Sequence, residues 1–434
     1  MKPSRYNVFF EENSSHFVFN QLTSSILEVD SDTYEELQNG TLDFENLEEE
    51  EKLTFINGNI LTNCDNEQDI ILFRNKNLRF NNKIARITIM PTLECNFSCW
   101  YCYEEHIQGR MSQEMADLVY LAIEKIIMQN QLSLFILDWF GGEPLMCFEE
   151  IVYPLSLKIK NKCIERGVRF SNNITTNGYV INSNMIKLMN EISLNSFQIT
   201  LDGEKEIHNK SRFTNSDSNT YDLIINNIKD LCERMDNIHM TLRINYTPDN
   251  INGIHKIIES FPKEIRNKIQ IFPQKIWQTK KDINYVDNVT FLKLEDFENK
   301  GYRIDSSFIE GGRGISCYTE NRLQFVINFD GKVFKCTARD FATGETSIGH
   351  INDKGNFIPN SYYYRYFTSS GFENDKCLKC EYLPSCLGIC IQKKIEGDKS
   401  NCPKNSIKES LYNQLKLRVM NFAKQESINK EVAI

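Results

Sequence analysis

Three cysteines fall within eight residues of "TLECNFSCWYCYEEH", Thr92 to His106, with the spacing Cys-x3-Cys-x2-Cys: Cys95, Cys99 and Cys102. Cysteines clustered in this way in a chain without secretory features ligate metal more readily than they pair into disulfides. Three thiolates are one short of a tetrahedral zinc set, and no second Cys pair or His pair lies nearby; His106 is the nearest donor that would complete one. Three thiolates from one loop suit three irons of a 4Fe–4S cube instead. The fourth iron is then open to a small molecule that brings its own donors.

Two further stretches carry chemistry. In "WFGGEPLM", Gly141 and Gly142 let the backbone approach a ligand closely, and Glu143 is an acceptor for an ammonium group. Near the C-terminus stand Cys317, Cys336, Cys377, Cys380, Cys386, Cys390 and Cys402, in a segment poor in long apolar periods. Such a segment needs metal to stay folded, as two zinc sites or as iron–sulfur clusters. Cys64, Cys147, Cys163 and Cys232 are scattered singly and read as small buried hydrophobes.

Taken together, these motifs resemble the radical S-adenosylmethionine (SAM) enzymes. Their signature Cys-x3-Cys-x-aromatic-Cys is matched by Cys95, Cys99, Tyr101 and Cys102, and their GGEP motif by Gly141, Gly142, Glu143 and Pro144. The resemblance implies that the amino and carboxylate groups of SAM chelate the open iron, with GGEP at the amino group. It implies that reduction then cleaves SAM to methionine and a 5′-deoxyadenosyl radical, which abstracts a hydrogen from the substrate. By the same resemblance Thr200 and Arg212, in "ITLDGEKEIHNKSR", address the SAM ribose and carboxylate, and Asp202 and His208 fix their loop or join them as ligands. Thr175, Thr176 and Asn177 in "ITTNG", and Arg243 and Asn245 in "LRINY", extend the expected pocket.

The C-terminal cysteines, with Gly331 five residues before Cys336, follow the order of the SPASM extension of these enzymes. That resemblance implies two auxiliary 4Fe–4S clusters, three clusters in all. Cys377, Cys380, Cys386 and Cys402 would hold one; Cys317, Cys336 and Cys390 would hold three irons of the other, whose last position is closed by another residue or left open. Taking up the electron left after hydrogen abstraction is the simplest role for them. SPASM enzymes act mostly on peptides or proteins. The expected function is therefore a maturase that installs a thioether or carbon–carbon crosslink in a ribosomally made precursor peptide. Its expected partners are that precursor with its leader and an electron donor such as flavodoxin or ferredoxin. An activity like that of anaerobic sulfatase maturases is the alternative, but those carry an aspartate directly after the second SPASM cysteine. Here Thr337 follows Cys336, and Asp340 comes three places later. A non-catalytic iron–sulfur electron carrier sits poorly with the intact Cys95, Cys99, Cys102, GGEP motif and Arg212. Tyr318, Arg339 and Asp340, beside auxiliary-cluster cysteines, are the catalytic candidates.

The elements that must position these residues alternate. "ARITIMPT", "LSLFILDWF", "VRFSNNITT", "SFQITLDG", "HMTLRINY" and "KIQIFPQK" read as strands, separated by helical periods such as "SQEMADLVYLAIEKIIMQN" and "TYDLIINNIKDLCERM". Six successive β–α units predict an α/β fold with a partial (β/α)6 TIM-type barrel, its chemistry at the C-terminal strand ends. Residues 1–84 read as a separate unit: two strands around "NSS", then a helix in "SDTYEELQNG" capped by Ser31 or Asp32 and stopped by Gly40. The acidic run "ENLEEEEKL" reads as a solvated helix face. In order and size the unit resembles the winged-helix recognition domain of peptide maturases, which takes a leader peptide as an added strand. Residues 85–300 are then the barrel, and 301–434 the SPASM domain with a C-terminal helix. The net charge of −9 and pI near 5.4 argue against a nucleic-acid surface. The absence of an apolar leader or an 18-residue apolar run points to a cytoplasmic protein without a membrane span.

Overall fold

The computed structural model describes residues 1–12, 14–235, 237–247, 250–276, 296–304, 317–339 and 341–397, together with Cys402, Lys404, residues 407–409, Leu411, Tyr412 and Leu415. It divides into two compact units. The first comprises Met1–Phe80, Ser306–Asn321 and Tyr366–Ile434, the second Asn81–Asp305 and Arg322–Arg365. Among the described residues no helix is long and apolar enough to cross a membrane.

In the first unit, β1 (Lys2–Pro3) precedes an antiparallel sheet of β2 (Asn7–Glu12), β3 (Ser15–Asn20) and β4 (Ser25–Val29), and β5 (Leu61–Thr62) returns to pair with β1. The sheet has three strands where the sequence suggests two. The break comes at Asn20, whose side-chain oxygen accepts from Leu22 N (3.0 Å) and Thr23 N (3.3 Å) and so folds the chain back. Helices α1 (Ser31–Asn39), α2 (Glu49–Asn57) and α3 (Glu67–Arg79) follow. The cap of α1 is Asp30, not Ser31 or Asp32: its backbone is still extended and its carboxylate accepts from Thr33 N at 2.9 Å. Gly40 ends the helix in the left-handed conformation, as expected. One face of the sheet buries Val18 against Tyr34, Leu37 and Phe55. The other buries Phe10, Phe17 and Phe19 against Tyr382, Leu411 and Leu415 from the far end of the chain.

The second unit is built on one mixed sheet. β6 (Ile84–Ile89), β7 (Leu134–Trp139), β8 (Arg169–Thr176), β9 (Leu194–Leu201), β10 (His239–Tyr246) and β11 (Ile269–Lys275) lie side by side and parallel. These are the six strands read from sequence. Helices α4 (Gln113–Gln129), α5 (Tyr153–Glu165), α6 (Ser183–Glu191), α7 (Lys205–Ser211) and α8 (Thr220–Arg234) connect them. Apolar residues of alternate parity (Ala85, Ile87 and Ile89; Phe135, Leu137 and Trp139; Met240, Leu242 and Ile244) are all buried. The opposite parity is richer in polar residues, with Thr88, Asp138, Asn173, Gln198, Thr200, Arg243 and Asn245, although Leu134 and Ile136 of β7 share it. β12 (Arg303–Ile304) joins β11 in parallel. On the other edge β13 (Gln324–Ile327) runs parallel to β6, followed by antiparallel β14 (Lys332–Phe334), β15 (Gly349–Ile351) and β16 (Phe357–Pro359). β12 and β16 stand at opposite ends of the strand order, so among the described residues the sheet does not close on itself, consistent with a partial barrel.

Candidate functional site

The cysteine loop leaves the C-terminal end of β6 and is closed at its base. Thr92 Oγ1 donates to Gly109 O (2.7 Å), while the Glu94 carboxylate accepts from Gly109 N (3.0 Å) and Arg110 Nε (3.1 Å). These donors hold the Glu94 carboxyl below its usual range, the Gly109 N–H first among them. Within the loop, Ser98 N donates to Phe213 O (2.9 Å) and Asn177 Nδ2 to Asn96 Oδ1 (2.7 Å). His106, the nearest donor to complete a zinc set, faces Leu93 O through Nδ1 at 3.0 Å. Cys95, Cys99 and Cys102 all line one cavity of about 190 Å³. Burial raises all three thiols, Cys95 up to about 12, with the Glu143 charge adding to it.

The Gly-Gly-Glu-Pro turn follows β7 and lies against the base of that loop. Gly142 N donates to Thr92 O (3.2 Å) and Glu143 N to Glu94 O (2.8 Å). Gly141 has φ of +115°, and a Cβ on it would stand 2.4 Å from Thr92 O; on Gly142 it would stand 2.1 Å from Glu94 O. Both glycines line the cavity, but the nearest demand on them comes from the cysteine loop itself. Glu143 is fully buried. One carboxylate oxygen accepts from Leu145 N (2.9 Å) and Thr176 Oγ1 (2.7 Å), and the other from Asn177 N (2.7 Å). Burial raises its carboxyl against those three donors. Glu143 thus ties the end of β7 to the end of β8, and Thr176 spends its hydroxyl proton on Glu143 while lining the cavity.

Across the cavity Tyr101 is the hub. Its hydroxyl donates to Asp202 Oδ1 (2.7 Å) and accepts from Arg212 Nη1 (2.8 Å) and Asn245 Nδ2 (3.1 Å). Arg243 Nε donates to Asn245 Oδ1 at 2.9 Å. Burial lifts the Asp202 carboxyl to about 6, opposed by Arg212. Burial also works against the charge of Arg212, but Tyr101, Cys99 and Asp202 hold it protonated. His208 accepts from Asp202 N through Nδ1 at 3.3 Å and is kept neutral by burial and by Arg212, so it serves the loop. Thr175, Asn177 and Thr200 complete the wall. Every pocket residue expected from the sequence therefore lies at this cavity or, for Glu143, Asp202 and His208, directly behind it. Sequence reading missed Glu104, Gln198 and Lys275 in the lining and Glu94 at the loop base; Gln198 has the inward parity of Thr200, which was the available signal.

The donor set fits a cluster and a zwitterionic ligand. Three thiols share the cavity, and the buried Arg212 Nε has no hydrogen-bond partner among the described residues, which leaves a cationic donor for an anion. Tyr101→Phe is expected to leave Arg212 and Asp202 short of a shared partner and to cost about 1–3 kcal/mol of stability. Thermal unfolding of the metal-free protein measures this, and an unchanged midpoint would show that the hub carries no load.

The C-terminal cysteines divide between the units. Cys377, Cys380, Cys386 and Cys402 line a cavity of about 680 Å³ in the first unit. Cys317 opens the turn Tyr318–Glu320 and Cys390 caps the helix Ile391–Ile395; both also belong to the first unit. Cys336 belongs to the second, where its sulfur accepts from Ala338 N at 3.4 Å. Tyr318 is partly exposed, Arg339 Nη1 donates to Ala338 O (2.7 Å), and Asp340 lies outside the described residues.

Residues 89–261 match the Radical SAM superfamily. Two curated proteins are similar over most of the chain. The cysteine-type anaerobic sulfatase-maturating enzyme of Clostridium novyi is 27% identical over 331 residues, 69% of this chain and 86% of that protein. The radical SAM cyclopropyl synthase TigE of Paramaledivibacter caminithermalis is 23% identical over 440 residues, 89% of each. Among solved structures, anSMEcpe with bound AdoMet and Cp18Cys peptide superposes with a TM-score of 0.58 at 19% identity, covering 79% of this chain and 99% of that one. SuiB of Streptococcus suis bound to precursor peptide SuiA gives 0.50 at 16% identity, covering 92% and 98%. At these identities the two structures attest a shared fold.

Proposed function

Given that the chain is a radical SAM enzyme related to SPASM-type peptide maturases, we propose that it installs a thioether or carbon–carbon crosslink in a ribosomally made precursor peptide. The observation that carries this reading is the single cavity in which three thiols, the glycine turn and Arg212 meet at the C-terminal ends of parallel strands. Cys95, Cys99 and Cys102 would hold the cluster, and Arg212, Thr200 and the glycine turn would hold SAM. When bound, the two supply hydrogen-atom abstraction. The chain's own part is to orient: Glu143 fixes the glycine turn, and Tyr101 fixes Arg212. The carbon–carbon option draws support from TigE, a cyclopropyl synthase by name, which aligns over 89% of both chains. Against the sulfatase-maturase alternative, Thr337 occupies the position after Cys336, and its carbonyl accepts from Tyr103 Oη at 2.9 Å.

The same reading makes residues 1–84 the leader-recognition domain, 85–300 the radical SAM core and 301–434 the SPASM domain. Among the described residues β2 and β4 each pair on one side only, so the N-terminal sheet has edges for an added strand. Two auxiliary clusters, one on Cys377, Cys380, Cys386 and Cys402 and one on Cys317, Cys336 and Cys390, complete the cofactor set. An external donor such as flavodoxin or ferredoxin supplies electrons. Three clusters predict about twelve irons per chain after anaerobic reconstitution; zinc with little iron would overturn the assignment.

The reaction is tested by co-expression with short precursor peptides from neighbouring reading frames, followed by mass spectrometry. A peptide lighter by two hydrogens, with its leader required, is the expected product. 5′-Deoxyadenosine formed alongside a peptide of unchanged mass would replace crosslinking by epimerisation.

A further inference from the structure

Inside the first unit, buried polar side chains of the N-terminal segment grip the segments that carry the C-terminal cysteines. Gln21, directly after β3, is fully buried. Its Nε2 donates to Glu381 O at 2.8 Å and its Oε1 accepts from Ser385 Oγ at 2.8 Å. Glu381 directly follows Cys380, and Ser385 directly precedes Cys386. One glutamine therefore brackets the loop between two thiols of the four-cysteine cavity. Arg79 and Asn75 of α3 do the same for the Cys317 turn. Asn75 Nδ2 donates to Glu320 Oε2 (3.2 Å), and Arg79 Nε stands 3.8 Å from the same carboxylate, both ends of that ion pair being buried.

Apolar packing repeats the link. Tyr382 lies on Phe10, Phe17 and Phe19 with Cys380 at the margin, and Tyr6, Leu22 and Ile71 pack on Leu383 and Leu387 with Cys377 beside them. Tyr382 and Leu383 also line the four-thiol cavity. The helices that present Cys377 and Cys386, Asp375–Leu378 and Leu383–Cys386, are single turns, too short to hold a shape alone. Their geometry has to be imposed by what they rest on.

We propose that Gln21 is a positioning residue for the distal thiols, so that metal loading at Cys377, Cys380, Cys386 and Cys402 and the order of the β2–β4 sheet are reciprocally coupled. This rests on the reading that those thiols hold an iron–sulfur cluster. The surface proposed to take the leader peptide is then well formed only in chains whose distal site is filled. An enzyme that loses this cluster loses its hold on substrate while its SAM site stays intact.

The test uses the full chain, reconstituted anaerobically, with a chelator and hydrogen exchange as readouts. In Gln21→Leu, distal iron is expected to pass to bathophenanthroline about 10–100-fold faster than in the wild type, with the SAM-dependent spectroscopic signature of the Cys95, Cys99 and Cys102 cluster unchanged. Gln21→Glu keeps the bond from Ser385 but turns a buried carboxylate oxygen toward the carbonyls of Glu381 and Tyr6, and should release iron at least as fast as Gln21→Leu. The reverse arm is Cys380→Ser: amides of residues 7–29 should exchange about tenfold faster, while those of residues 194–246 keep their protection. Wild-type iron release in Gln21→Leu, or unchanged protection of residues 7–29 in Cys380→Ser, overturns the coupling. A wild-type chain that takes up only one cluster's worth of iron instead overturns the reading beneath it.

Discussion

Cys95→Ala is expected to abolish 5′-deoxyadenosine formation and to remove about four irons from each reconstituted chain. Among the described residues three thiols face the cavity, so a cube deprived of one keeps two of these ligands. Of the other donors, His106 is turned to Leu93 O, Glu143 is spent on Leu145, Thr176 and Asn177, and Glu104, although it lines the cavity, offers a hard carboxylate where iron–sulfur clusters take a soft thiolate. The matched control is Cys163→Ala. Cys163 is fully buried on α5 away from the cavity, and its loss should lower the melting temperature while leaving iron content and SAM cleavage at wild-type levels. Turnover persisting in Cys95→Ala would remove the loop from the catalytic centre.

Gly142→Ala should be nearly as damaging although it deletes nothing. The added methyl would lie 2.1 Å from Glu94 O and 2.5 Å from Leu93 O, both backbone atoms of the cysteine loop, so no rotamer can relieve it. Either the Gly142–Thr92 and Glu143–Glu94 bonds break or the loop shifts. An expected cost of about 3 kcal/mol corresponds to about a hundredfold loss of SAM affinity, measurable by equilibrium dialysis. Gly167→Ala provides the comparison. Gly167 also has positive φ (+65°), but a Cβ there meets nothing within 4 Å, so the change should cost about 1 kcal/mol of stability and leave SAM affinity untouched. Equal SAM affinities in the two variants would mean that the glycine turn does not set the loop.

The barrel was legible because its strands largely obey one rule: alternate residues are apolar under the helices, and most of the others are polar toward the interior, with Ile136 of β7 and Phe272 of β11 as exceptions. β10 was located to the residue for that reason, and the other five strands to within about three residues of their ends, the largest error being at the C-terminal end of β6. β13 escaped because four residues, Gln324–Ile327, are too few to show a period, and its place beside β6 is decided by pairing alone. The role of Glu143 was legible as chemistry but not as geometry. An acidic residue after two glycines reads as a ligand contact, whereas the fold encloses it and uses it to join two strand ends. The partnership of Gln21 with Glu381 and Ser385 spans more than half the chain, and no local pattern in either segment announces it.

That separation has a consequence on the ribosome. The β2–β4 sheet leaves the ribosome long before the residues that cover Phe10, Phe17 and Phe19, which come from beyond Tyr366. With translation at about 5–20 residues per second, the three phenylalanines wait on the order of tens of seconds for their cover. Through that interval they form an apolar face on a strand meander with open edges, which chaperones bind and aggregates recruit. The N-terminal segment is therefore a poor candidate for expression by itself, and premature termination anywhere before Tyr382 should yield inclusion bodies rather than a soluble fragment.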